Sequence, residues 1–229
     1  MNVYIVVEGD KTELNVYPAW LGLLAPQLKR IDDAWEVSDN NYYIFSAGGI
    51  PSIYNHVSNA VADINDINKG NHKFDYLLVF LDTEEESRQY LEDCINEKLK
   101  KDNRVLEHTM MIIFEHKVCM ETWFLGNKTV FKENPEAQEY LRFITYYNVG
   151  REDPEQMGNI DSEKFGSKAQ FHHQYLRLMF RERNMCYLKS NPKDVCTENY
   201  LNKLIERYVS TGHIPTFGSW YEFVKKNLK

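Results

Sequence analysis

An apolar run of five or six residues that stops on an acid or a glycine, then gives way to helical spacing, recurs through the first half of the chain. Val3–Val7 stops at Glu8, Tyr42–Ser46 at Ala47-Gly48-Gly49, Tyr76–Leu81 at Asp82, and Met110–Phe114 at Glu115-His116. Runs this short, rich in β-branched and aromatic residues and without polar alternation, read as strands buried on both faces. Between them, apolar residues recur at spacings of three and four. Leu14, Tyr17, Leu21, Leu24 and Leu28 form one stripe; Ile53, Val57, Val61, Ile64 and Ile67 form a second. A third helix carries Tyr90, Leu91, Cys94, Ile95 and Leu99. Successive β–α units predict an α/β fold: a parallel, Rossmann-like sheet with helices on both faces. Asp10, with Glu13 three residues on, has the form of a capping box. Pro18 should kink or divide the first helix, and Pro51 suits the first turn of the second.

Past about residue 125 the pattern changes. Cys119–Leu125, Pro135–Tyr146, Lys168–Arg183, Glu198–Ser210 and Ser219–Leu228 carry helical spacing, and residues 150–166 read as an exposed polar loop. No further strand is evident. The expected organisation is an α/β core over 1–125 with a helical C-terminal elaboration over 126–229 packed on it. A hydrophobic fraction of 43%, with 15 Tyr, 12 Phe and 4 Trp, can fill such a core, so disorder is not the default. No run approaches the roughly 18–20 apolar residues of a membrane span. Glu8 and Asp10 break the N-terminal run too early for a signal peptide, so a cytoplasmic protein with no membrane partner is expected. The cysteines, Cys94, Cys119, Cys186 and Cys196, lack zinc-ligand spacing and read as reduced, mostly buried thiols. A net charge of −7 argues against a uniformly basic, nucleic-acid-gripping surface. Its distribution is uneven. From Lys164 to Lys193, seven cations (Lys164, Lys168, Arg177, Arg181, Arg183, Lys189, Lys193) face Glu182 alone, a net of +6 that leaves −13 elsewhere. An anionic partner docking near the C-terminal third would explain that asymmetry.

In open parallel sheets, ligands bind beyond the carboxyl ends of the strands. That edge should receive Glu8 from the first strand, Gly48-Gly49 from the second, Asp82 and Glu84 from the third, and Glu115 from the fourth. Carboxylates gathered there repel unless a cation neutralises them or one is protonated. Oxygen ligands without a Cys or His constellation favour Mg²⁺ or Mn²⁺. Simpler explanations compete residue by residue. Glu85 and Glu86 in a helix's first turn are stabilised by the macrodipole alone, Asp82 could be a helix cap, and Gly48-Gly49 could merely end a strand. His172-His173 fit a solvated helix surface.

The stretches V-V-E-G-D-K-T-E (Val6–Glu13) and L-V-F-L-D-T-E (Leu78–Glu84) resemble the TOPRIM fold of topoisomerases, primases and OLD-type nucleases. E-G-D-K-T-E (Glu8–Glu13) and E-T-W-F-L (Glu121–Leu125) are similar to the small stand-alone, RloB-like TOPRIM proteins of bacterial defence loci, and Tyr187-Leu188-Lys189 has the form of their Y-x-K. The resemblance covers about residues 1–125. It implies a metal-dependent nuclease acting on DNA or RNA, with Mg²⁺ or Mn²⁺ held by Glu8, Asp82 and Glu84. Glu84 stands where the family has the second Asp of D-x-D. Gly9 would let the chain turn beside the metal, and Asp10 would cap the helix. Lys189, ahead of Lys168 and Lys11, would stabilise developing charge; Glu121 and Trp123 would pack their helix or brace the site. The chain has no G-x-x-x-x-G-K-[ST] loop, so ATP dependence would come from a separate ATPase partner. Whether copies assemble into a homo-oligomer is left open. Two other classes compete: a phosphoacceptor signalling domain labelled on Asp82, and a TOPRIM interaction module whose site has decayed.

Overall fold

Five strands form an all-parallel sheet in a computed structural model describing residues 1–228. They are β1 (Val3–Val7), β2 (Lys29–Ile31), β3 (Asn41–Ser46), β4 (Tyr76–Asp82) and β5 (Met110–His116), in the order β2-β3-β1-β4-β5. β1 lies at the centre, in register Val7↔Ser46 with β3 and Val7↔Phe80 with β4. From β1 the chain runs to the edge strand β2, returns to β3 beside β1 and then crosses to β4, so its switch point falls between β1 and β4. That is where open α/β sheets place ligands. The α/β expectation holds, and the three-residue edge strand β2 is an addition, too short and polar (KRI) to signal itself.

The protein divides into two compact units. One comprises residues 1–81, 86–115 and the C-terminal residues from Phe223 on; the other comprises 82–85 and 116–222. The boundary therefore falls near 116 rather than 125, and the E-T-W-F-L helix belongs to the second unit.

In the first unit, α2 (Ser52–Ile67) and α3 (Arg88–Lys101) cover one sheet face. Ile53, Val57, Val61 and Ile64 of α2 and Leu91 and Ile95 of α3 pack with Tyr4, Val6, Leu77, Val79 and Leu81. On the other face Tyr17 of α1 (Glu13–Leu24) lies against Phe80, ring centroids 4.2 Å apart, and Phe223 packs edge-on to Tyr76 at 5.2 Å. This double cover is why β1 and β4 carry continuous apolar runs. The α1 stripe is rotated from the expected one: Val16, Tyr17, Trp20 and Leu21 are buried, whereas Leu14 and Leu24 are only partly so. Pro18 sits within one continuous helix. Asp10 is exposed and is not the cap; Thr12 occupies that position, and buried Glu13 reaches back to accept the Gly9 N–H at 3.1 Å. A Cβ at residue 9 would overlap that carboxylate, so the absence of a side chain at Gly9 lets Glu13 approach the backbone closely. The tripeptide after β3 does require glycine, with φ of 70° at Gly48 and 97° at Gly49; the Gly49 N–H donates to the Glu8 carbonyl at 3.0 Å.

The second unit holds α4 (Met120–Phe124), α5 (Gln138–Tyr146), α6 (Lys168–Arg181), α7 (Glu198–Thr211) and most of α8 (Pro215–Asn227). Phe143, Phe165, Phe171 and Tyr175 pack edge-on or tilted around α5 and α6, while Phe124, Phe180, Tyr187 and Tyr200 form a second aromatic group. The 150–166 segment is irregular as expected but tied down rather than free. Pro154, Glu155, Met157 and Phe165 are buried, and the Arg207 guanidinium donates to the carbonyls of Val149 (3.0 Å), Gly150 (3.2 Å) and Glu152 (2.8 Å). Buried Glu155 caps α8, accepting from the Thr216 N–H (3.1 Å) and hydroxyl (2.6 Å). All four cysteines are free, but only Cys119 is buried and Cys186 is exposed. Among the described residues, no helix is long and apolar enough to cross a membrane.

Candidate functional site at the end of β4

Asp82 is the last residue of β4 and does not cap the helix that follows, because Ser87 fills that role through the Tyr90 N–H. Beyond Asp82, a short loop is laced to the segment leaving β5. Thr83 N–H donates to the His116 carbonyl (3.1 Å), Val118 N–H to the Thr83 hydroxyl (2.9 Å), and Glu84 N–H to the Val118 carbonyl (2.9 Å). Glu84 and Val118 both adopt the left-handed region, with φ of 43° and 71°. For a β-branched residue such a φ is costly and persists only where the surroundings enforce it, a feature that concentrates at functional sites.

His116 Nδ1 lies 2.6 Å from Asp82 Oδ1. His116 is fully buried, with the Trp123 ring set edge-on at 4.6 Å. Strand alternation explains why His116, and not Glu115, makes this contact. Phe114 stacks on Phe80 at 5.3 Å, so residues 114 and 116 share the face of residues 80 and 82, and Glu115 turns to the opposite face with Met111 and Ile113. Glu115 is therefore corrected from the expected ligand set. Counting two residues on from Phe114 would have found His116 in the sequence.

The Asp82 carboxyl is held well above the ordinary Asp range, first by burial, then by the charge of Glu121, with Glu84 adding to it and Lys189 opposing. Glu121, on α4, is itself buried, yet it stays below the usual Glu range. Burial works against its charge, but Lys189, His173 and the Tyr187 hydroxyl outweigh it. The geometry agrees: Lys189 Nζ stands 3.2 Å from Glu121 Oε1, and the Tyr187 hydroxyl donates to that same oxygen at 2.9 Å. Two short motifs separated by 66 residues thus converge on one carboxylate. Lys189 is drawn upward by Glu121, Cys119 and Asp82 against the effect of burial, so it remains an ammonium and acts as a charge, not a base. About half of its side chain is exposed. Buried Cys119 has its thiol pushed up by burial and by Glu121 and Asp82, which disqualifies it as a nucleophile.

The remaining candidates are placed elsewhere. Glu8 follows β1, and alternation from Tyr4 and Val6 turns it to the α2 face. There its charge adds to burial, Cys94 and Tyr90 in raising the Tyr54 phenol to about 12. Lys168 is paired with Glu85 at 2.7 Å, and Glu85 also accepts the Lys168 N–H at 3.2 Å. Glu85 thus sits at the N-terminus of α6, whereas the helix following it in sequence starts only at Arg88. Lys11 is exposed on the first unit.

His172 is buried, contrary to the expected solvated pair, and His173 is half-buried. His172 Nε2 faces the Met157 carbonyl at 3.0 Å, so it carries the proton, and Nδ1 accepts from the Thr122 hydroxyl at 2.8 Å. Burial lowers its pKa from 6.5 to about 4 despite the carbonyl contacts. The folded protein therefore holds His172 neutral while the unfolded chain takes up a proton near 6.5. This contribution is full above pH 6.5 and is lost as pH falls toward 4, on the order of 3 kcal/mol over that window. Urea titrations across pH 7 to 4.5 should show His172→Gln losing less stability on acidification than the parent; equal losses would contradict the assignment.

Compared with family models, curated proteins and solved structures, the chain matches none of them, and its reading rests on this geometry.

Proposed function

We propose that the chain is a metal-dependent nuclease hydrolysing phosphodiester bonds of DNA or RNA. The observation that carries the reading is the convergence at the carboxyl end of β4. Asp82 and Glu84 at the end of β4 meet the charge of Glu121 from α4, and one half-exposed ammonium, Lys189, pairs with Glu121 and opposes the charge on Asp82. Burial, and after it the charges of Glu121 and Glu84, hold the Asp82 carboxyl up, and a bound divalent cation would offset both. Asp82 and Glu84 are the residues that would hold it, and oxygen donors of this kind suit Mg²⁺ or Mn²⁺. When bound, such an ion neutralises phosphate charge and acidifies a water.

The chain's own residues have distinct tasks. His116 fixes the orientation of Asp82. Glu121, fixed in turn by Tyr187, aims the Lys189 ammonium at solvent, where it can meet a phosphoryl oxygen and stabilise charge as it builds. The TOPRIM resemblance adds a separate ATPase partner in an antiviral defence setting, which is part of the proposal; it also implies Glu8 as a ligand, but Glu8, like Glu115, is turned to the α2 face and is left out of the set.

The test is incubation of the purified chain with plasmid, single-stranded DNA and tRNA in Mg²⁺ or Mn²⁺. Cleavage that EDTA abolishes is expected. No cleavage of any substrate, together with no metal binding by calorimetry, would sink the reading in favour of a decayed module. Glu8→Ala in the same assay tests the resemblance: loss of cleavage would bring the β1 acid into the site, and retained cleavage, the expected result, would leave it with the α2 face. Labelling of Asp82 by a small phosphodonor would instead support a phosphoacceptor.

A further inference from the structure

Of the seven cations between Lys164 and Lys193, four are already engaged. Lys164 meets Glu139 (2.9 Å), Lys168 meets Glu85 (2.7 Å), and Lys189 meets Glu121 (3.2 Å), while Arg183 donates to the carbonyls of Val130 and Phe131. Lys193, Arg177 and Arg181 remain: all three are exposed with no acidic partner among the described residues, and the two arginines belong to one helix. They stand one turn apart on α6, about 6 Å along its axis, and so project from the same side. Together they line a groove of about 290 Å³ whose other walls are Gln174, Leu178, Met185, Cys186 and Tyr187. No acid lines it. Tyr187, one of its lining residues, also holds Glu121 beside Lys189 through its hydroxyl.

We propose that this groove seats the backbone of a single nucleic-acid strand, delivering it to the Asp82–Lys189 cluster. The inference rests on the nuclease reading and names how its substrate docks. Two unpaired guanidinium groups on one helix face are suited to bidentate contact with successive phosphates. Leu178, Met185 and Tyr187 give the groove an apolar wall for sugar or base. A strand whose bases are unpaired can turn sugar or base onto that wall, which a duplex, with its bases stacked inside, cannot. A basic groove beside the site also lets an acidic protein engage a polyanion locally.

The experiment is fluorescence anisotropy of a short labelled single-stranded oligonucleotide, in DNA and RNA form. It is run in EDTA so that cleavage is not being read, across a salt series. The double variant Arg177→Ala, Arg181→Ala should bind on the order of tenfold or more weakly at low salt. Its log–log salt slope should be shallower by about 1.4, the value for two lost contacts to a single strand. Arg177→Lys, Arg181→Lys should restore most of the slope. Both arginines are exposed, so thermal unfolding of the variants should match the parent and exclude misfolding. An unchanged slope and affinity in the alanine variant, or no binding by the parent, overturns the proposal. The two readings fail separately. If the parent binds through these arginines yet cuts nothing in Mg²⁺ or Mn²⁺, the groove stands and the nuclease falls. If it cuts and the alanine variant binds and cuts equally well, the nuclease stands and the groove falls.

Discussion

Asp82→Asn is expected to abolish Mg²⁺- or Mn²⁺-dependent cleavage, by about a thousandfold or more, while making the metal-free protein more stable. The two effects share one cause. Asp82 lies partly buried against Glu121 and Glu84, so its negative charge opposes folding unless a cation is present. Asparagine keeps the volume and an oxygen for His116, which now stands 2.6 Å from the carboxylate, and it removes one charge from the cluster. What it cannot supply is the anionic oxygen that a hard divalent ion requires. Thermal unfolding in EDTA should therefore show a higher Tm for the variant than for the parent. Adding Mn²⁺ should raise the parent's Tm, by mass action on the folded state, and leave the variant's unchanged. Retained cleavage in the variant would remove Asp82 from the chemistry. A lowered Tm in EDTA would show that the carboxylate has a structural role not captured by its electrostatics. Gains in stability on neutralising an active-site charge are the expected signature of a site tuned for function at the expense of the fold.

How far this site was legible in the sequence follows from what each signal measures. Apolar runs report burial, so β1, β3, β4, β5 and the α2 stripe could be read directly, including the acid that ends β4. Charge at a strand end does not report which face the side chain takes. Glu115 and His116 differ by one residue and therefore point oppositely, and the histidine, not the acid, meets Asp82. Glu85 follows the same logic: a run of acids before a helix suggested its own macrodipole, but the chain turns at Glu84 and presents Glu85 to α6, 83 residues away. His172 looked solvated because it stands near the start of an amphipathic helix beside a second histidine. Its burial is decided by Thr122 and Met157, which no local pattern reveals. The E-T-W-F-L and Y-x-K stretches were visible as separate motifs; only the fold shows them meeting at Glu121.

Trp123→Ala should cost about 3–5 kcal/mol of stability, the range for truncating a large buried aromatic. The residue justifies the upper part of that range. Its ring is fully buried, edge-on to His116 at 4.6 Å and to Phe217 at 5.5 Å, with Trp220 stacked at 6.2 Å. Its indole N–H donates to the Thr216 hydroxyl at 2.7 Å, which donates in turn to Glu155 at 2.6 Å, so truncation leaves a cavity and a buried acceptor without its donor. Against a total stability of about 5–15 kcal/mol, that loss approaches unfolding at 37 °C and corresponds to a Tm drop on the order of 10 °C. Trp123→Phe separates the two contributions. It keeps most of the packing and forfeits only the N–H, so about 1 kcal/mol is expected. The same pair tests the link to chemistry. If Trp123 serves the site by walling in His116, and through it by orienting Asp82, then Trp123→Phe should retain cleavage within about tenfold. Trp123→Ala, assayed below its own Tm where it is folded, should lose far more than its folded fraction accounts for. Activity that merely tracks the folded fraction would assign Trp123 to packing alone, with His116 held in place by Asp82 and the Thr83 hydrogen bond to its carbonyl.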